Sequence, residues 1–311
     1  MRLSRVFGWL VIGLVAWFFG AAIVENWDRV KDIDYSITPV AGLVTVLFVL
    51  AVVVSGALWA KVYEAVTNRQ VPVPEAVRCH LASWVLKYIP GQVGGVIYKV
   101  RWADLRGAGK TSGALAYGYE LLFLTLSSTL VVIPLLILSA ASAHVGSLLL
   151  GYLGLLVLVL ILAQRAPYEL ARRVIRRLGG TEPDGAVRLS LGRILVFTAW
   201  FMIPRLINAV AFVLLAVSML PVEPGHYVLL GAAYVLAGIV GIYAVFVPSG
   251  IGVREGVIVG FAATVFPVEQ AIVLALAARL YATVADGLLG LGYLALTRWL
   301  RPSQGMETNC S

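Results

Sequence analysis

The chain has 311 residues, of which 60% are hydrophobic and 13% charged. That charged share is about half of what an average soluble chain carries, so a water-facing surface could not be covered and the solvent must be a bilayer. The formal net charge of +8 sits in short loops between apolar spans rather than on one face, which excludes nucleic acid as a partner and assigns the charge to orientation and anionic-lipid contact.

Windows of about 19 apolar residues predict crossings near 6–24, 39–63, 112–141, 145–163, 193–219, 226–247, 250–266 and 269–299. The first follows MRLSR and could pass for a signal peptide, but its length and the seven spans behind it favour a retained helix. Between it and the second span lies the acidic loop ENWDRVKDIDYS, with Asp32 and Asp34 as a DxD pair. The mixed segment 76–98 is expected to be re-entrant or interfacial and not to cross, because only then do nearly all basic loops share one side. On that topology both termini are cytoplasmic, in an inner (plasma) membrane. The cytoplasm receives Arg2, Arg5, Lys61, Arg69, Arg78, Lys87, Lys99, Arg101, Arg106 and Lys110, the arginines from Arg165 to Arg193, and Arg298 and Arg301. The other side keeps Arg29 and Lys31 among several carboxylates.

The basic linker 164–192 divides the chain into halves, 1–163 and 193–300, leaving a short tail at 301–311. In the linker, Leu170, Val174 and Leu178 form one stripe and Arg172, Arg173, Arg176 and Arg177 the opposite flank, as in an amphipathic helix lying on an anionic leaflet. A solvated basic connector is the plainer alternative. Cys79 and Cys310 read as free thiols. His80, His144 and His226 lack the spacing of a metal site, so neither metal nor cofactor is expected.

Each half carries a span broken by proline and glycine. The first break, KYIPGQVGG, contains Pro90, Gly91, Gly94 and Gly95; the second, FVPSGIGVREG, contains Pro248, Gly250, Gly252, Arg254 and Glu255. Non-helical backbone at membrane depth is tolerated only inside protein or along a cavity, and paired breaks in two halves point to a substrate site. With four crossings between them, both breaks are expected to open from the same face, as in a parallel repeat. Close glycine packing in a helix bundle is the competing explanation.

The stretches PGQVGGVIYKVRWADLRGAGK and VPSGIGVREGVIVGF resemble the two signature regions of the flippase-like family named after the membrane part of lysylphosphatidylglycerol synthase. That resemblance implies an all-α bundle of about eight transmembrane helices and movement of a lipid or lipid-linked molecule between leaflets. The chain ends at Ser311 without a soluble aminoacyltransferase domain, so lysyl transfer, and enzymatic activity generally, is not expected.

Ionisable groups inside the membrane are rare and mark pathways or pairs. They are Glu120 in the third span, Arg205 with Asn208 in the fifth, Arg254 and Glu255 in the seventh, and Arg279 and Asp286 in the eighth. Together with Arg101 and the break residues they form the expected site for an anionic or zwitterionic head group. Mutual ion pairing is the structural alternative. No GxxxxGK[ST] motif is present, so ATP is not the direct drive. Two further readings remain open: a polyprenyl-phosphate-sugar glycosyltransferase using the DxD loop, and a scaffold that docks onto a lipid-modifying enzyme through the basic linker.

Overall fold

The structure, a computed structural model, describes residues 39–88, 93–139, 145–163, 168–169, 188–244 and 247–299. The expected first span, the DxD loop, the amphipathic linker segment 170–187, Pro90, Gly91 and the tail lie outside these residues. The described residues form nine α-helices. They are α1 (Pro39–Thr67), α2 (Val73–Val85), α3 (Val93–Leu105), α4 (Gly109–Ser139), α5 (Val145–Ala163), α6 (Leu191–Met219), α7 (Tyr227–Tyr243), α8 (Val253–Ala262) and α9 (Val268–Trp299). Short 3-10 turns at Leu86–Tyr88 and Pro248–Gly250 mark the two breaks.

Local chemistry explains several boundaries. The α2 start has proline in its first turn, where the missing N–H costs nothing, and Glu75 facing the helix dipole. Ser190 caps α6 by accepting from the Arg193 amide. Pro134 and Pro204 are carried inside α4 and α6 without ending them, as neighbouring helices permit in membrane bundles.

Among the described residues, five helical segments are long and apolar enough to cross a bilayer: Pro39–Thr67, Gly109–Pro134, Leu191–Met219, Pro224–Tyr243 and Val268–Trp299. Their outward faces are apolar, with Val46 on α1, Val210 on α6 and Leu280 and Leu291 on α9 each more than half exposed. This is a polytopic, all-α membrane protein. The expected span at 250–266 is corrected: α8 has 10 residues, about 15 Å of rise against a hydrocarbon core of about 30 Å, and cannot cross alone.

The two larger of three buried clusters among the described residues divide the bundle lengthwise. One gathers Tyr63 and Val66 from the end of α1, Val71 and Ala76 before and in α2, Ala103 in α3, Leu115 in α4 and Ile194 in α6. The other gathers Val44 and Phe48 from the start of α1, Leu215 in α6, Leu230 in α7, Ala262 in α8 and Ala271 in α9. The α2–α3 hairpin therefore has its feet at one end of the bundle and the α7–α8 hairpin at the other. Their tips, the two 3-10 turns, touch. The expectation that both breaks open from the same face is overturned by this packing.

The helix contacts are symmetric under exchange of α1, α2, α3 and α4 with α6, α7, α8 and α9. The pair α1/α2 is matched by α6/α7, α3/α4 by α8/α9, α2/α9 by α7/α4 and α1/α9 by α6/α4, while α1 packs on α6. With the hairpins entering from opposite ends, this is the pattern of an inverted repeat rather than a parallel one.

Candidate functional site

The second break explains its own glycines. Gly250 has φ +64°, and a β-carbon there would lie 2.8 Å from the Gly241 Cα, so both helix termini approach only because neither residue has a side chain. Beyond it, the Glu255 carboxylate accepts from the Gly252 amide at 2.6 Å and fixes the start of α8. In the first hairpin, a β-carbon on Gly95 would sit 2.8 Å from the Ser83 carbonyl oxygen, and the Ser83 hydroxyl donates to the Gly95 carbonyl at 3.1 Å. The two arms of that hairpin are thereby drawn together.

Where the tips meet, the structure forms two adjoining chambers, partly open to their surroundings, with cavity volumes of about 50 and 100 Å³. Trp84, Lys87, Ile242 and Arg254 line both. The depth follows from α9: Arg279 reaches the Ser249 carbonyl at 3.5 Å and lies eleven residues into the helix, about 16 Å along its axis. That is roughly half the hydrocarbon thickness.

The first chamber is lined by Lys87, Arg205, Asn208, Tyr234, Arg254 and Asp286, among others. Asp286 accepts from the Trp84 indole at 2.7 Å and pairs with Lys87 at 2.8 Å, while the Lys87 ammonium stands 4.1 Å over the Trp84 ring. This bridge ties the first hairpin's tip to α9. The second chamber holds a buried triad: Lys99 donates to both Glu120 oxygens at 2.7 and 2.6 Å, and its ammonium lies 3.0 Å from His80 Nδ1. Trp59 lies 4.1 Å beneath the same ammonium. Tyr117 and Ser249 also line this chamber. The Thr125 and Tyr243 hydroxyls bond at 2.6 Å, joining α4 to α7 near the second break.

Of the expected site residues, Glu120, Arg205, Asn208, Arg254 and Asp286 line the chambers, with Gly95 at the wall of the second. Glu255 and Arg279 lie behind Arg254, paired with each other at 3.6 Å. Gly250 and Gly252 shape the second tip, where Pro248 supplies backbone, and Gly94 lies half-buried in the first turn of α3. Arg101 is exposed on α3 and outside the chambers. Arg279 and Asp286 share a helix but not a partner. Lys87 and Lys99, expected in cytoplasmic loops, are inside the bundle, and sequence reasoning missed them together with His80, Trp84 and Tyr234. The recurrence of Val77, Leu81 and Val85 at helical spacing marks a half-helix in the sequence, but spacing alone does not show which of its basic residues find partners inside.

Comparison with curated proteins gives no match. The family model described as the lysylphosphatidylglycerol synthase TM region matches residues 5–290. With nearly the whole chain accounted for by that match, the protein belongs to the lysylphosphatidylglycerol synthase transmembrane-region family.

Proposed function

We propose that the protein is a transporter, not an enzyme, that moves a phospholipid or lipid-linked saccharide between leaflets of the plasma membrane, with both termini cytoplasmic. The observation carrying this reading is the charged chamber where two broken hairpins meet, about halfway along α9. A polar cavity at that depth is costly unless used, since a charged group at mid-membrane costs roughly 2.5–3.5 kcal/mol on insertion scales. The re-entrant hairpins hold a head group between them while its acyl chains stay in lipid. The Lys87–Asp286 bridge joins the first hairpin to α9 and closes one wall of the chamber.

Reconstitution tests the reading. Vesicles containing the purified protein and a fluorescent phospholipid or polyprenyl-linked sugar are expected to show accelerated movement between leaflets, and Asp286→Asn is expected to slow it by tenfold or more. Rates equal to protein-free vesicles for every lipid offered would refute transport.

A further inference from the structure

Resting on that transport reading, we infer that Arg205 and Arg254 form a subsite for a doubly charged phosphate group, a terminal phosphomonoester or a diphosphate, carried by a lipid. Arg205 comes from α6 and Arg254 from the first turn of α8, and both reach the same point over α7. The position of a β-carbon on Gly238 would lie 3.5 Å from Arg254 Nη2 and 4.0 Å from Arg205 Nη1. The glycine leaves room for two guanidinium groups to converge.

Two like charges do not converge in a low-dielectric interior without an anion between them. Every other charge of the site is matched: Lys87 by Asp286, Lys99 by Glu120 and Arg279 by Glu255. Among the described residues no carboxylate stands within ion-pair distance of Arg205 or Arg254. Arg205 is only 7% exposed, and its buried Nε has no partner. Asn208, one turn along α6, and the Tyr234 ring share the chamber. The site thus carries two uncompensated positive charges on planar forks suited to phosphate oxygens.

Charge number selects the ligand class. A phosphodiester head such as phosphatidylglycerol carries one negative charge and leaves one guanidinium unmatched, and a zwitterionic head brings a further cation. A phosphomonoester carries about −1.5 to −2 at neutral pH, and a lipid diphosphate at least as much, so these match the arginine pair.

The experiment uses the full chain in nanodiscs of phosphatidylethanolamine, with binding read by native mass spectrometry and by melting temperature. The probes are dioleoyl phosphatidic acid, undecaprenyl phosphate, dioleoyl phosphatidylglycerol and inorganic pyrophosphate. Both monoester lipids are expected to bind at least tenfold more tightly than phosphatidylglycerol, and Arg205→Gln and Arg254→Gln to abolish that preference. Arg254→Gln is also expected to keep or raise the ligand-free melting temperature, because it relieves repulsion; an arginine with a purely structural partner would lower it. Equal binding of phosphatidylglycerol, or a preference that survives both substitutions, overturns the subsite. Protection by pyrophosphate equal to that by the lipids assigns the site to a soluble anion and overturns the lipid. Monoester preference without movement in vesicles keeps the subsite and refutes transport, whereas movement without preference does the reverse.

Discussion

Lys99 is held inside the bundle by protein groups. Its ammonium lies on Trp59 and between Glu120 and His80, and its side chain is 2% exposed. Removing one member of such a buried pair leaves an uncompensated charge, which costs roughly 3–5 kcal/mol, while replacing both with apolar residues is often nearly neutral. Glu120→Gln is therefore expected to lower the melting temperature sharply, and Lys99→Met/Glu120→Leu to recover most of it. A double variant as unstable as the single one would show that the pair is not the source. The sequence marks Glu120 because an acid inside an apolar run stands out. It misplaces Lys99 because a lysine beside a Pro-Gly break is indistinguishable from a loop lysine until its partner, 21 residues away on another helix, is brought to it. Arg101, two residues further on and exposed, shows that neighbouring basic residues of one helix take opposite fates.

At the scale of the element, the long helices were legible and the short ones were not. Expected spans at 39–63, 112–141, 145–163, 193–219 and 269–299 correspond to α1, α4, α5, α6 and α9 within a few residues, because an uninterrupted apolar run leaves the backbone no other way to satisfy itself. The run 250–266 is equally apolar, yet its helix stops at Ala262 and the chain turns back at Phe266–Pro267. Hydropathy records burial and not whether lipid or protein provides it. The same element yields a contrast between glycines. Gly250→Val places a branched side chain at φ +64° against the backbone of Gly241 and is expected to prevent folding or abolish movement of lipid. Gly256, exposed on α8 with open space around it, is expected to accept alanine with a small gain in stability, roughly 0.5–1 kcal/mol. Yield and melting temperature of the two variants check this, and equal behaviour would remove the tight turn from the argument.

Across the whole molecule, the distribution of lysine and arginine identified which loops lie together but could not count the crossings. Replacing two crossings by one re-entrant hairpin changes the number by two and moves no basic loop to the other side, so the positive-inside rule is satisfied by both arrangements. Only packing separates them, through the two end clusters and the meeting of the tips. Thiol labelling with Cys79 and Cys310 replaced by alanine makes the distinction measurable. A cysteine at position 107, in the exposed turn between α3 and α4, is expected to react with an impermeant reagent from one side and one at position 223 from the other. A cysteine at Ser249 is expected to resist from both sides, yet to cross-link to one of a series placed through Leu86–Tyr88. Free labelling at 249 from the side that labels 107 would restore the two-crossing reading.

The exchange symmetry of the helices also gives α5 a purpose that its packing alone does not. Each set of four helices, a long helix, a hairpin and a second long helix, begins and ends at the same end of the bundle, so two such units joined directly would be related by rotation about the bundle axis. One additional helix running the length of the bundle between them turns the second unit upside down. Helix α5 stands in that place, packed, among the described residues, against α4 and α6. It acts as a parity element: its presence, more than its sequence, decides that the two hairpins face each other. A single apolar helix of unrelated sequence should serve as well.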